Sequence, residues 1–278
     1  MSLRNIYYTL SPGFRLFARR VYYYPYDLMR CITGKRHRYE PPKGKTFIGS
    51  GDFIKQGQLH LQLLKEHGSL ISDHYVLDIG SGMGRTAVAL TTYISSEGSY
   101  DGFDIMKQGV IWCNKKIGKD YSNFRFKHVS IGNDLYNTNK TSGEKFKFPY
   151  DDNCFDVSFL FSVFSHMLPA EVENYLLEIH RTLKPGGKCL ATFFIYEHAD
   201  DFQLKHPEDR FKFPVDMGNY RLMNEKVKSA NVAYQKDFLN RMFTKAKLSI
   251  EKEVEGFWKG EQTGHNDFQD IIVLKKEE

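Results

Sequence analysis

The run Val76-Leu77-Asp78-Ile79-Gly80-Ser81-Gly82-Met83-Gly84-Arg85 constrains the fold more than any other stretch, because an apolar strand closes on a carboxylate and turns into a helix on three alternating glycines. Glycine tolerates positive φ and lets a ligand approach the backbone with no Cβ in the way, while the helix that follows aims free N–H groups outward. That is a nucleotide-cofactor turn of an α/β sheet. Its spacing separates one cofactor class from another. A dinucleotide fingerprint reads G-x-G-x-x-G, whereas this chain reads G-x-G-x-G with Asp78 two residues ahead of the first glycine. A carboxylate at that place repels a pyrophosphate and suits a cofactor with a cationic end. Nicotinamide oxidoreduction is disfavoured on both counts.

The segments that follow repeat the α/β alternation. Ser99-Tyr100-Asp101-Gly102-Phe103-Asp104-Ile105 reads as a strand ending on Asp104, twenty positions after Gly84. An acidic residue about 20 positions beyond the glycine turn is placed to accept hydrogen bonds from ribose hydroxyls. Asp101 competes but lies inside the strand. A helix over 106–119 leads to the strand Phe124–Val129 and then to Ser130-Ile131-Gly132-Asn133. Phe155–Phe161 reads as a further strand, followed by Ser162 and His166. Glu171 to Leu183 has helical periodicity with Val172, Tyr175, Leu176 and Ile179 on one face. Leu183-Lys184-Pro185-Gly186-Gly187 stops that helix, and Cys189–Ile195 is an apolar run fit for a fully buried parallel strand.

In order and spacing these segments resemble class I S-adenosylmethionine-dependent methyltransferases, with Val76–Arg85 as the first motif and L-K-P-G-G plus strand as a strong mark of the family. The turn at Glu255–Gly260 and the strand Phe268–Leu274 resemble a bacterial small-molecule subgroup. The resemblance implies a Rossmann-like, seven-stranded, mostly parallel sheet with an antiparallel last strand and helices on both faces. It implies S-adenosyl-L-methionine as cofactor, held by Asp78, Gly80, Ser81, Gly82, Arg85, Asp104, Ile105, Ile131, Gly132, Phe161 and Ser162. Arg85, at the helix start, is expected to pair with a carboxylate. Where similar methyltransferases carry an Asp for the adenine amino group this chain has Ser130, which leaves the backbone near Ile131 or Asn133 for that contact.

Methyl transfer needs positioning and exclusion of water more than acid–base machinery. A hydroxyl acceptor profits from a base, and His166, just beyond the fourth strand, is the candidate catalytic residue. Tyr196, His198, Tyr234 and Trp258 are candidates for substrate contact. Residues 196–230, a charged and aromatic stretch after the fifth strand, are expected to form a substrate lid at the edge of the sheet where ligands bind.

Composition bounds the rest. The chain has 278 residues and 41% hydrophobic content, enough for one large domain. It has no apolar stretch long enough to cross a bilayer and no secretory leader at residues 1–30, so a cytoplasmic setting is expected. The four cysteines form no C-x-x-C pair, and His60, His67 and His74 recur every seven residues as surface positions, so no metal site is expected.

Residues 1–50 carry ten Lys or Arg against two acidic groups, a net +8 that leaves −3 of the total +5 for the remainder. We divide the chain into this basic, aromatic extension, 1–45, and a methyltransferase domain, 46–278. Ser11-Pro12 starts a helix expected to run to Pro25, with Phe14, Phe17 and Val21 at helical spacing between arginines. One reading is peripheral attachment of residues 1–40 to an anionic membrane, at the inner face, or to a phosphorylated substrate. The other packs the aromatics on the domain with the arginines in water, and aromatic stripes at helical spacing favour it.

The function expected is O-methylation of a small molecule, saccharide or lipid-linked precursor. Nucleic acid is disfavoured, since Phe161-Ser162-Val163-Phe164 stands where a base-methylating enzyme carries an N/D-P-P-Y-like motif. The alternative is a non-catalytic scaffold of the same fold that uses its basic N-terminus to hold a membrane or partner.

Overall fold

A computed structural model of the chain describes residues 10–46, 51–137, 139, 141–198, 212–259 and 267–277. Five strands run parallel: β1 (Tyr75–Ile79), β2 (Ser99–Asp104), β3 (Phe124–His128), β4 (Phe155–Leu160) and β5 (Leu183–Tyr196). Their order is β3-β2-β1-β4-β5, so the chain reverses direction across the sheet between β1 and β4. That is the place where a crevice opens beyond the carboxyl ends of the strands. β9 (Leu248–Val254) and β10 (Asp270–Lys276) complete a seven-stranded core, with β10 antiparallel between β5 and β9.

Alternation along the strands sends successive side chains to opposite faces. Leu77 and Ile79 belong to the buried cluster that also takes in Val172, Tyr175, Leu176 and Ile179 of α5 (Pro169–Thr182) and Leu239 and Phe243 of α6 (Lys236–Lys245). Val76 packs on the other side against α2 (Phe53–Glu66), α3 (Arg85–Leu90) and α4 (Lys107–Cys113). Val76, Leu77 and Ile79 are fully buried, and each contributes roughly 1.5–3 kcal/mol relative to an exposed position.

The sheet extends beyond the expected seven strands. β5 outruns β4 and β10, and its last residues, Phe194–Tyr196, pair with β8 (Val232–Gln235). β8 then carries the hairpin β6 (Val215–Asp216) and β7 (Tyr220–Leu222). Part of the stretch expected to form a lid is therefore sheet. Residues 199–211 of it lie outside the described residues.

The N-terminal helix, α1 (Pro12–Ile32), begins as expected, with the Ser11 hydroxyl accepting from the Phe14 N–H, 3.3 Å. It does not end at Pro25. A proline inside a helix removes one hydrogen bond and costs about 3 kcal/mol. Contacts on the C-terminal half offset it: Asp27 accepts from the N–H groups of Lys43 and Gly44, 2.7 and 2.9 Å, and Arg30 pairs with Glu40.

The orientation of α1 reverses the expected one. Arg15 is 6% exposed and donates to the carbonyls of Leu10 and Leu135, 2.9 and 3.3 Å. Arg20 donates to Gln108 Oε1, 2.6 Å. Phe14, Phe17 and Val21 face outward instead, each more than half exposed. The guanidinium groups win the inward side because carbonyl and amide acceptors on the body satisfy them there.

Candidate active site

A cleft of about 1230 Å³, its open mouth included, lies at the carboxyl ends of β1, β2 and β4. The glycine turn forms its floor. Gly80, Gly82 and Gly84 all have positive φ, at +87°, +53° and +80°, so each serves the turn, but their surroundings differ. A Cβ on Gly80 would fall 2.5 Å from Val163 Cγ2, and one on Gly84 would fall 2.8 Å from both Cys113 Sγ and Ile117 Cδ1. A Cβ on Gly82 would meet nothing within 4 Å, because that position faces the open cleft.

Two buried carboxylates stand beside the turn. Asp78, in β1, accepts from the Tyr100 hydroxyl at 2.6 Å, and burial pushes its carboxyl up to about 7, with the nearby Asp104 charge adding to the effect. Asp104 closes β2 and accepts from the N–H groups of Gly82 and Met106, 2.7 and 2.6 Å. Burial raises it too, and those two N–H groups oppose the rise. Asp101, the competing acid, is spent on Arg125 in β3, 2.6 Å. Both cleft carboxylates are thus held in place by the backbone and by Tyr100, with electrostatic appetite for a cation.

Beyond β4, Phe161 stacks on His60 with ring centroids 3.7 Å apart and planes within 10°. His60 is not the surface position its seven-residue spacing predicts. It is buried in the cleft wall, shares a 2.7 Å bond with Thr86 Oγ1, and burial pushes its pKa down to about 3. Ser162 has φ +57°, a conformation that costs a non-glycine residue about 1 kcal/mol or more. Its N–H donates to Thr192 Oγ1, 2.8 Å, and its hydroxyl to Gln269 Oε1, 2.6 Å. Such fixed strain collects at functional sites.

His166 lines the same cleft. Its Nδ1 lies 2.9 Å from the Ser229 carbonyl, which only accepts, so Nδ1 carries the proton and Nε2 the free lone pair. Burial lowers its pKa, with the carbonyls of Ser229 and Ala230 pulling the other way. The ring is therefore a neutral base. Asn133 fixes this corner: its Nδ2 donates to the His166 carbonyl, 3.0 Å, and its Oδ1 accepts from the Leu135 N–H, 3.1 Å. Asn133 also lines the cleft, and one N–H and one lone pair of its amide serve this local scaffold.

Gly80, Ser81, Gly82, Arg85, Ile105, Ile131, Gly132, Phe161 and Ser162 all line the cleft beside the two carboxylates. Arg85 donates to Gln56 Oε1, 2.7 Å, and lies over the Phe53 ring; burial lowers it while the Asp267 carboxylate opposes that. The four residues expected to touch substrate are not part of the lining. The Tyr196 hydroxyl donates to the Gly218 carbonyl, 3.3 Å, and Tyr234, fully buried, donates to the Met167 carbonyl, 2.6 Å. Trp258 donates Nε1 to Asp270 Oδ2, 2.7 Å, and packs on Phe194 and Phe213. His198 is exposed beyond the end of β5. Large aromatics at these places hold the extended end of the sheet together. The cleft lining also includes Tyr136, Val163, Met167, Glu171 and Tyr175, none of them singled out as a site residue by the sequence. Tyr175 sits on the apolar face of α5 that periodicity already marks, whereas nothing local in the sequence points to Tyr136 or Thr46.

The residues fit S-adenosylmethionine on the structure's own terms. Among the described residues the buried Ser81 hydroxyl has no hydrogen-bond partner, and it lies in the cleft next to the open face of Gly82. A five-strand parallel sheet in this order, an acid-glycine turn without pyrophosphate spacing, and a second acid at the tip of β2 are features this chain shares with class I S-adenosylmethionine-dependent methyltransferases. Residues 77–191 match the family model described as a methyltransferase domain.

Among curated proteins, phosphoethanolamine N-methyltransferase 2 of Caenorhabditis elegans is 26% identical over 208 residues, which is 73% of this chain and 40% of that protein. The chain therefore spans less than half the length of that relative. Among solved structures, the PH0226 protein of Pyrococcus horikoshii OT3 superposes with a TM-score of 0.55 at 18% identity, over 84% of this chain and 94% of that one. The cyclase SpnF superposes with a TM-score of 0.52 at 16% identity, over 83% and 84%. At such identities the likeness is one of fold, and the cyclase shows how little fold alone says about the reaction.

Proposed function

We propose that this protein transfers a methyl group from S-adenosylmethionine to a hydroxyl of a small molecule, saccharide or lipid-linked precursor, with His166 as general base. The observation that carries the proposal is the place of His166 in the cleft lining with its Nδ1 held 2.9 Å from the Ser229 carbonyl, a contact that leaves the lone pair to Nε2. When bound, the cofactor supplies a sulfonium-activated methyl group. Asp78 and Asp104 would hold its cationic end and ribose, and Ser81, Gly82, Ile105 and Ile131 would line the rest of its site. Phe161, Val163 and Met167 keep water from the reacting centre, which strengthens the fixed charges around it. Nε2 would accept the acceptor's proton as the acceptor oxygen bonds the methyl carbon and the sulfonium S–CH3 bond breaks, the pair staying on sulfur and S-adenosylhomocysteine leaving as the neutral thioether.

Support against the scaffold reading comes from the cleft itself: a decayed site has no reason to keep two buried carboxylates, each costly to ionise, beside an open glycine turn. A second acceptor class is favoured by the name of the curated relative. A phosphorylated amino alcohol would present an ammonium group, and Nε2 would strip its proton before methylation in the same way.

The test is methyl incorporation from labelled cofactor into small-molecule and lipid extracts, with phosphoethanolamine in the panel. His166→Ala should lower turnover about 10²-fold and leave the calorimetric affinity for S-adenosylhomocysteine unchanged. Near-normal turnover in the variant would remove His166 from the chemistry.

A further inference from the structure

We propose that α1 is an in-plane docking helix for an anionic lipid bilayer. The side of α1 opposite Arg15, Arg19 and Arg20 carries Phe14, Phe17, Val21, Leu28, Met29 and Ile32, each between 45% and 71% exposed. These positions fall at the three- and four-residue steps that place side chains on one helical face. Tyr22 and Tyr24, 77% and 65% exposed, flank the stripe, as amphipathic rings do at a membrane interface. An uncovered apolar face of this extent on a protein surface marks an interaction site. No helix among the described residues is long and apolar enough to cross a membrane, so α1 lies along a bilayer surface and does not span it.

Charge selects the bilayer over a second copy of the chain. Residues 10–46 hold nine Lys or Arg against Asp27 and Glu40. Asp27 is bound to Lys43 and Gly44 backbone N–H groups and Glu40 to Arg30. Two such segments would repel across a symmetric interface, whereas anionic headgroups attract both. The apolar arc, tyrosines included, is also wider than the two-position seam that pairs helices in a coiled coil, and Pro25 lies within it. The opposite face of α1 bridges the two rims of the cleft. Arg15 binds the Leu135 carbonyl next to Tyr136, and Arg20 binds Gln108 at the start of α4 near Met106. A docked α1 sets the cleft mouth beside the headgroup layer. This inference stands on the geometry of α1 and not on methyl transfer.

The experiment is co-sedimentation of the full chain with vesicles of phosphatidylcholine alone and with one third phosphatidylglycerol, at low and high salt. Binding is expected to the anionic vesicles, to fall with salt, and to weaken at least about tenfold in Phe17→Glu/Val21→Glu. Those side chains are exposed, so the variant should keep the wild-type melting temperature and helical circular dichroism, which separates lost docking from lost folding. Equal binding to neutral vesicles, or no binding by the folded wild type, overturns the proposal. So does a dimer in sedimentation analysis that the same double variant converts to monomer, since that assigns the face to a second copy.

Discussion

Asp78 should release a proton when cofactor binds. Its carboxyl titrates at about 7 in the free protein because the group is buried and faces Asp104. If only the ionised form receives a cationic ligand, the receptive fraction is about 0.1 at pH 6, about 0.5 at pH 7 and about 0.9 at pH 8. Affinity should therefore rise roughly tenfold between pH 6 and pH 8 and level off above. Calorimetry with S-adenosylmethionine in two buffers of different ionisation heat reads the proton directly, with nearly one released per site at pH 6 and almost none at pH 8. The sign on stability is opposite. A carboxyl raised above its unfolded value favours the fold at low pH, and that contribution, about 4 kcal/mol, is lost as pH rises from about 4 toward 7. Asp78→Asn should thus be more stable than wild type at pH 8 while binding cofactor weakly and without pH dependence. A wild-type affinity that stays flat from pH 6 to pH 8, with no buffer-dependent heat, would refute the reasoning.

Other perturbations separate binding from folding. Gly82→Ala, whose Cβ enters the open cleft at φ +53°, should weaken cofactor binding at least about tenfold for about 1–2 kcal/mol of backbone strain; Gly84→Ala, whose Cβ meets Cys113 and Ile117, should show chiefly as a lower melting temperature. Asp270 accepts from the N–H groups of Ile195 and Gly256 and from Trp258 Nε1, so Asp270→Ala should cost about 3 kcal/mol or more and roughly 6 °C in melting temperature. Little change in thermal denaturation would show that water replaces the carboxylate. His60 should show no ring titration by NMR between pH 8 and pH 5, since burial holds it near 3; the stability its neutral form contributes above pH 6.5 is lost as pH falls toward 3. A His60 midpoint near 6 would contradict its burial between Thr86 and Phe161.

What the sequence made legible is what local chemistry dictates. Gly80, Gly82 and Gly84 announce positive φ, and all three have it. The choice of Asp104 over Asp101 followed from its place at the end of the strand, and Arg125 explains where Asp101 went. The face of α5 was readable from its period of 3.6. Periodicity, however, marks a stripe without saying what lies across from it. In α1 the stripe is real and points outward, because Arg15 and Arg20 find acceptors on the body, Leu135 and Gln108, that no single segment displays. His60 looked like one of a surface series until its place on α2 set it against Phe161. Residue type alone makes Tyr234 and Trp258 candidates for either recognition or packing, and rings of that size close the sheet here, with their polar atoms bound within the fold. The hairpin of β6 and β7 arises from pairing with a strand already in place, a non-local cause that charged, aromatic sequence conceals.

The length of β5 separates what this architecture must conserve from what it is free to alter. Residues 188–191 are clamped between β4 and β10, with 192–193 still paired to β10, and they fix the register on which the cofactor end depends. Phe194–Tyr196 continue past both ladders and pair with β8, while the Ile195 N–H reaches the Asp270 carboxylate. Insertions or deletions between residues 197 and 226 therefore change what is paired beyond the clamps and leave both the shared register and the Ser229 contact to His166 untouched. The chain carries a built-in joint for diversification, where segments can be exchanged over generations without renegotiating the cofactor half.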